Sequence, residues 1–411
     1  MKNVKDICYG LFVLTVAYSY SIYFIVETGF GIPVDGPFFK IYSGVLTLLA
    51  LFFFLFDARK NSFDINRNVI LICFFTVLLF YLTRYFYFTT NERYQTYFLS
   101  MGVRFIPAIL VGASIIPKEN ECLKRIKKAL PIFILIFTVI LAQSVLFVEL
   151  GLNASLTYNT EGGLNYQTIS YYSIFAFGLT LFLLANNRYN ILIKSSIYAL
   201  LLLQIYIAVS AGGRGAFLLA LIFLWYYRKH LKLTPSNILK LFLLFVVLLI
   251  VFYLFFADSQ RVLFGFNRIS NFFSSQNNIE QDDRWIRWGL ALDSFESSPF
   301  YGHGLGSVFY EVGFYSHNCF LDILCEGGVL LFGFFIYLLV LFYKKASKLV
   351  KKNSNYEIII VIFLSSFILL CFSGYYLSES GIWFAMTYII GNNNHSKVLL
   401  NSKLKWRKLY I

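Results

Sequence analysis

Two arginines three residues apart, a Ser-His-Asn triplet and two carboxylates four residues apart all fall within residues 284–326. The stretch reads RWIRWGLALDSF, then SPFYGHGLG, then SHNCFLDILCEGG. Across 283–296, Trp285, Trp288, Leu292 and Phe295 recur at helical spacing and predict one apolar helix face. Asp282 or Asp283 caps the start of that helix, and Ser297-Ser298-Pro299 ends it. Arg284 and Arg287 then stand in the first turn, at the positive end of the helix dipole. Cations there are disfavoured by up to about 1 kcal/mol. A bound anion would remove that penalty, and phosphate suits both guanidinium groups and free helix amides. The plainer alternative is an Asp283–Arg287 pair at i,i+4, with the aromatic residues lying on a membrane surface.

The sequence AGGRGAF at 211–217 repeats this placement: Gly212 and Gly213 allow a tight turn, and Arg214 opens the next helix. Such an arginine either reaches lipid headgroups or faces an anion in a cavity. Arg104 lies inside a hydrophobic span, three residues before Pro107, where a guanidinium is expected to face the bundle interior or a watery cavity. His317 stands at the mouth of a later span, and a neutral imidazole there can accept a hydroxyl proton. Asp322 and Glu326 share a helix face one and two turns inside. At that depth they need partners, and the nearby arginines are the expected ones. His303, between two glycines, reads as a turn residue. His230 and His395 lie in basic segments and are not candidates.

The elements that must position these residues are set by composition. A hydrophobic fraction of 58%, 14% charged residues and a mean hydropathy of +0.68 do not fit one soluble core. Long unalternating apolar runs predict membrane-spanning helices rather than a barrel. We count twelve candidate spans, near 7–26, 38–56, 69–88, 97–116, 129–150, 167–185, 191–209, 215–227, 241–257, 318–342, 357–376 and 378–391. The first follows Lys2 and Lys5 without a small-x-small site and reads as a retained anchor. The fold class is therefore an all-α polytopic membrane protein forming a single domain over 1–411. One large loop, 258–317, is expected to pack on the bundle.

Segments 57–68, 117–128, 186–194, 228–240 and 343–356, with both termini, hold 26 of the 35 Lys and Arg. The positive-inside rule puts both termini in the cytoplasm and 258–317 on the outer, periplasmic face. The charge of +14 then reflects orientation and anionic lipid headgroups, not nucleic acid. Six cysteines form no CxxC pair and imply no disulfide framework or metal site. A second outward loop, 151–166, is rich in Asn, Thr, Tyr and Gly, groups that suit sugar contact as well as ordinary loops.

Taken in order, GGRGAF, the Arg284–Trp288 helix, SPFYGHGLGSV and SHNCFLDILCEGG resemble the bacterial O-antigen ligase and polymerase family. The likeness spans roughly residues 205–335 and departs from the family pattern at His303, inside the Gly-x-Gly turn. Its members are multispan inner-membrane glycosyltransferases that use undecaprenyl-pyrophosphate-linked saccharides. The resemblance implies His317 as base, Arg214 and Arg284 as pyrophosphate ligands, and Glu326 as the acidic position after Ser-His-Asn. It also pairs Asn165 with an asparagine of the central outer loop. Arg104, Arg287 and Asp322 enter from their own positions alone. The implied chemistry is an inverting transfer with no cofactor or metal; QDDR at 281–284 is not a D-x-D motif. Implied partners are the lipid-linked oligosaccharide, membrane lipids, a flippase and a chain-length regulator. The Phe-, Ile-, Tyr- and Asn-rich composition favours polymerase over a ligase that joins polymer to lipid A core. A lipid-linked saccharide transporter is the reading from another class, and the sequence lacks the internal repeat common in transporters.

Overall fold

Apolar runs of this length can satisfy their backbone within lipid as helices, and the described residues of the computed structural model hold helices joined by turns. Those residues are 2–18, 37–60, 77, 104–114, 119–149, 166–211, 213–228, 230 and 283–392. In chain order the helices are α1 (Lys2–Ala17), α2 (Pro37–Lys60), α3 (Arg104–Ser114), α4 (Glu119–Glu149), α5 (Tyr166–Asn186) and α6 (Ile191–Ala211). They continue as α7 (Arg214–Tyr227), α8 (Asp283–Ser297), α9 (Val308–Glu311), α10 (Cys319–Lys352), α11 (Glu357–Phe372) and α12 (Ser380–Gly391). Within α4, α5, α6, α10 and α11, five stretches are long and apolar enough to cross a membrane; α3, α7 and α12 are shorter apolar helices. Of the twelve candidate spans, 241–257 lies outside the described residues, as does all of 69–88 but Val77.

α5 is the centre of the bundle. Its apolar window is 89% buried, against 22% for α6, which turns most of its surface outward. Phe175 stacks on Tyr18 at the end of α1, with ring centroids 4.0 Å apart, and meets Phe133 and Phe137 of α4 edge-on. A polar pin crosses this core: Gln204 on α6 donates to Thr138 on α4 at 2.9 Å and to Thr180 on α5 at 3.1 Å. Such bonds hold helices together where lipid offers no hydrophobic drive.

The two ends of the bundle differ. At one, basic groups tie helices to each other: Asp6 of α1 pairs with Arg125 and Lys128 of α4, and Lys127 donates to the carbonyl of Asn186. Glu357, opening α11, accepts from Asn186 at 2.9 Å and lies 3.8 Å from His230. The opposite end carries the start of α5, the Gly213–Arg214 turn, α8, α9 and the start of α10. Of the large loop 258–317, the portion 283–317 is described, and it packs on α10 through α8 and α9.

One break shapes this second end. The apolar run at 318–342 predicts one uninterrupted span, yet α10 is broken at Gly328, whose φ of 58° and ψ of −162° are non-helical. In a regular helix Val329 and Leu330 would donate to the carbonyls of Cys325 and Glu326. Instead they donate to Pro299 at 2.8 Å and Phe300 at 3.4 Å. The released carbonyls accept from His303 at 3.0 Å and Gly304 at 2.8 Å. The SPFYGHG turn thus re-satisfies both sides of the opened helix, the condition for non-helical backbone at membrane depth. Glycine is required at Gly328, because a side chain there would meet the main chain of Pro299 and Phe300 at 2.5 Å. Gly302, at φ 61°, lies against the main chain of Glu326 just as closely.

Candidate active site

Arg214 is the first residue of α7, and the start of α5 holds the turn that presents it. The Ser170 hydroxyl donates to the carbonyl of Ala208 at 3.0 Å and accepts from the Gly213 amide at 2.9 Å. Gly215, on the other side of Arg214, lies directly against the Tyr171 hydroxyl, so the close approach excludes any side chain there. The two glycines of GRG are explained by Ser170 and Tyr171. The Arg214 side chain itself, like Asn165, lies outside the described residues.

Tyr171 also connects this turn to α8. Arg284 lies near enough to act electrostatically on the Tyr171 hydroxyl, and Tyr171 in turn faces Tyr18. Arg284 and the Arg214 turn therefore approach one tyrosine from different elements. Arg287, one turn further along α8, places its guanidinium over the Phe314 ring, 5.2 Å from the centroid. Such an arrangement favours a cation by about 0.5–1 kcal/mol or more. Phe314 is 5.9 Å from the His317 ring, and Tyr315 meets that ring edge-on at 4.6 Å. An arginine and the histidine thus share one aromatic wall.

The Ser-His-Asn triplet forms a tight entry into α10. Asn318 caps the helix, its side chain accepting from the Phe320 amide at 3.0 Å. His317 is half-buried and adopts φ 63°. Ser316 is fully buried; Trp288 Nε1 of α8 donates to its carbonyl at 2.9 Å. Asp322 Oδ1 accepts from the Ser316 amide at 2.8 Å.

The carboxylates correct one expectation. Asp322 and Glu326 are both fully buried, and their partners are not arginines. Glu326 accepts from the hydroxyl of Tyr375 at 2.7 and 2.8 Å, from Tyr376 at 2.6 Å and from the Gly306 amide at 3.0 Å. Sealed from solvent and bonded by protein donors, it ties the Gly-x-Gly turn to the 373–379 loop. Asp322 is equally sealed. The predicted face of α8 is also partly revised. Ala291 and Ser294 are its buried residues, whereas Trp285 and Leu292 are 53% and 44% exposed. His303 is the turn residue expected of it, its Nε2 within 2.9 Å of Ser297 Oγ and of the Ser294 carbonyl.

Arg104, at the start of α3, has a neighbour that sequence reading missed. Glu379, in the loop before α12, is buried and lies near enough to Arg104 to act on it electrostatically. Tyr18 faces the same carboxylate. No spacing signal links Arg104 to a residue 275 positions away (379 minus 104).

Residues 197–338 match the family model described as O-antigen ligase. The match runs from within α6 through α7, α8 and the Ser-His-Asn turn into α10 beyond its break, and supports the resemblance of that part of the chain to the O-antigen polymerase and ligase family. The chain has no match among curated proteins.

Proposed function

We propose, with the O-antigen polymerase and ligase family as premise, that this protein transfers a saccharide from undecaprenyl pyrophosphate to a sugar hydroxyl, extending a surface polysaccharide. The carrying observation is the register of the arginine helix against the histidine turn: Trp288, beside Arg287, bonds to Ser316, beside His317. His317 takes the proton of the acceptor hydroxyl, and that oxygen attacks the anomeric carbon. The bond from this carbon to the pyrophosphate oxygen breaks, with inversion. Arg284 and Arg214 meet the charge that develops on the departing lipid pyrophosphate, with Arg287 or Arg104 assisting. Arginines supply the positive charge that a divalent cation gives other transferases, so the reaction uses neither metal nor cofactor. Leu305, Ile323, Leu331, Phe335 and Trp383 line a small apolar cleft beside the Gly-x-Gly turn. The basic end of the bundle supports a cytoplasmic assignment for that end and a periplasmic one for the site.

The description of the matched family, O-antigen ligase, fits a second reading equally: ligation of finished polymer to lipid A core. Deletion of the gene separates the two by product. Loss of a polymerase leaves single repeats on the lipid core, whereas loss of a ligase leaves naked core and accumulated lipid-linked polymer. An unchanged polysaccharide ladder would overturn both.

A further inference from the structure

Every polar atom of Ser316 is engaged before the chain reaches His317. The amide donates to Asp322 Oδ1 at 2.8 Å, and the carbonyl accepts from Trp288 Nε1 at 2.9 Å. The hydroxyl donates to the Asn318 carbonyl at 3.0 Å and accepts from the Asn318 amide at 3.2 Å. The residue is 0% exposed. His317 follows with φ 63°, the positive φ of a non-glycine residue among those described. Such a backbone persists where its surroundings over-determine it, and the grip on Ser316 does so here. Trp288 belongs to α8 and Asp322 to α10, so the turn is clamped between the arginine helix and the helix it opens.

We propose that Trp288 and Asp322 are positioning residues, which set the His317 imidazole against the arginines of α8 by holding the main chain of Ser316 from both sides. The inference rests on His317 acting as the base. Asp322 contributes an oxygen in the right place, not a charge directed at the saccharide, because it is sealed from solvent. An asparagine presents the same Oδ1 to the Ser316 amide. Trp288→Phe removes the indole N–H and keeps an aromatic ring against Trp285, now 4.9 Å away.

The test uses the purified full-length protein, with lipid-linked saccharide extracted from a strain lacking it as donor. Displacing a catalytic group by about 1 Å lowers turnover by about 100-fold. Asp322→Ala should therefore lose about 100-fold in kcat with KM held within about threefold, and Asp322→Asn should recover to within about fivefold of wild type. Trp288→Phe should lose about tenfold in kcat, and adding it to Asp322→Ala should lower kcat little further, since both release one turn. Asn as inactive as Ala, a change confined to KM, or fully multiplicative effects would overturn the proposal. Should Asp322→Ala fail to fold, Trp288→Phe and Asp322→Asn still decide it. An active His317→Ala would instead remove the reading beneath it. An inactive His317→Ala beside fully active Trp288 and Asp322 variants would remove this inference alone.

Discussion

Alanine at His317 should lower glycosyl transfer by about 100- to 10,000-fold, the usual range for loss of a positioned base. The effect should be almost wholly chemical. The side chain is half-buried against Phe314 and Tyr315, so its removal opens no large cavity. Alanine is no better suited than histidine to the left-handed backbone at this position, and asparagine, which tolerates it, is the matched control. Arg284→Ala should lose about 100- to 1000-fold, because preorganised charge facing a leaving pyrophosphate is worth that much. The measurement is polymer formed per unit of membrane protein in a deletion strain carrying each variant. Wild-type ladders from both variants would sink the assignment of base and leaving-group stabiliser.

Alanine at Glu326 should instead act on stability, by about 3–5 kcal/mol. It leaves the hydroxyls of Tyr375 and Tyr376 and the Gly306 amide buried without their acceptor, at about 1–3 kcal/mol for each such group. The hydroxyls can rotate toward other acceptors, which keeps the total below a simple sum. Glutamine retains one carbonyl oxygen and should lose less than half as much. Thermal melting of the purified protein in detergent reads the difference. A Glu326→Ala variant that melts with wild type but binds lipid-linked saccharide more weakly would return this residue to the substrate.

Helices with long apolar runs were legible because hydropathy alone requires them: α4, α5, α6 and α11 stand where the runs stand. The Arg-Trp helix α8 was legible from its periodicity and its Ser-Ser-Pro stop, yet its buried face was not. Close packing against α10 selects small residues, Ala291 and Ser294, and leaves Trp285 outside. The break at Gly328 is invisible in hydropathy because it depends on a partner turn 25 residues earlier (328 minus 303) supplying the missing hydrogen bonds. The same holds for Glu326. Its tyrosines lie 49 and 50 positions away, a pairing that only the folded bundle creates. Glycine pairs, by contrast, did signal close approach. GRG and GHG mark the places where Tyr171 and the α10 main chain come nearest.

The left-handed backbone at position 317 has an implication for engineering. Glycine or asparagine would relax this turn, and stability-guided redesign would therefore tend to erase the imidazole. A library selected only for heat resistance should enrich small replacements there while its polysaccharide output collapses. Retention of histidine at so unfavourable a spot would then measure how strongly activity, and not folding, is being demanded.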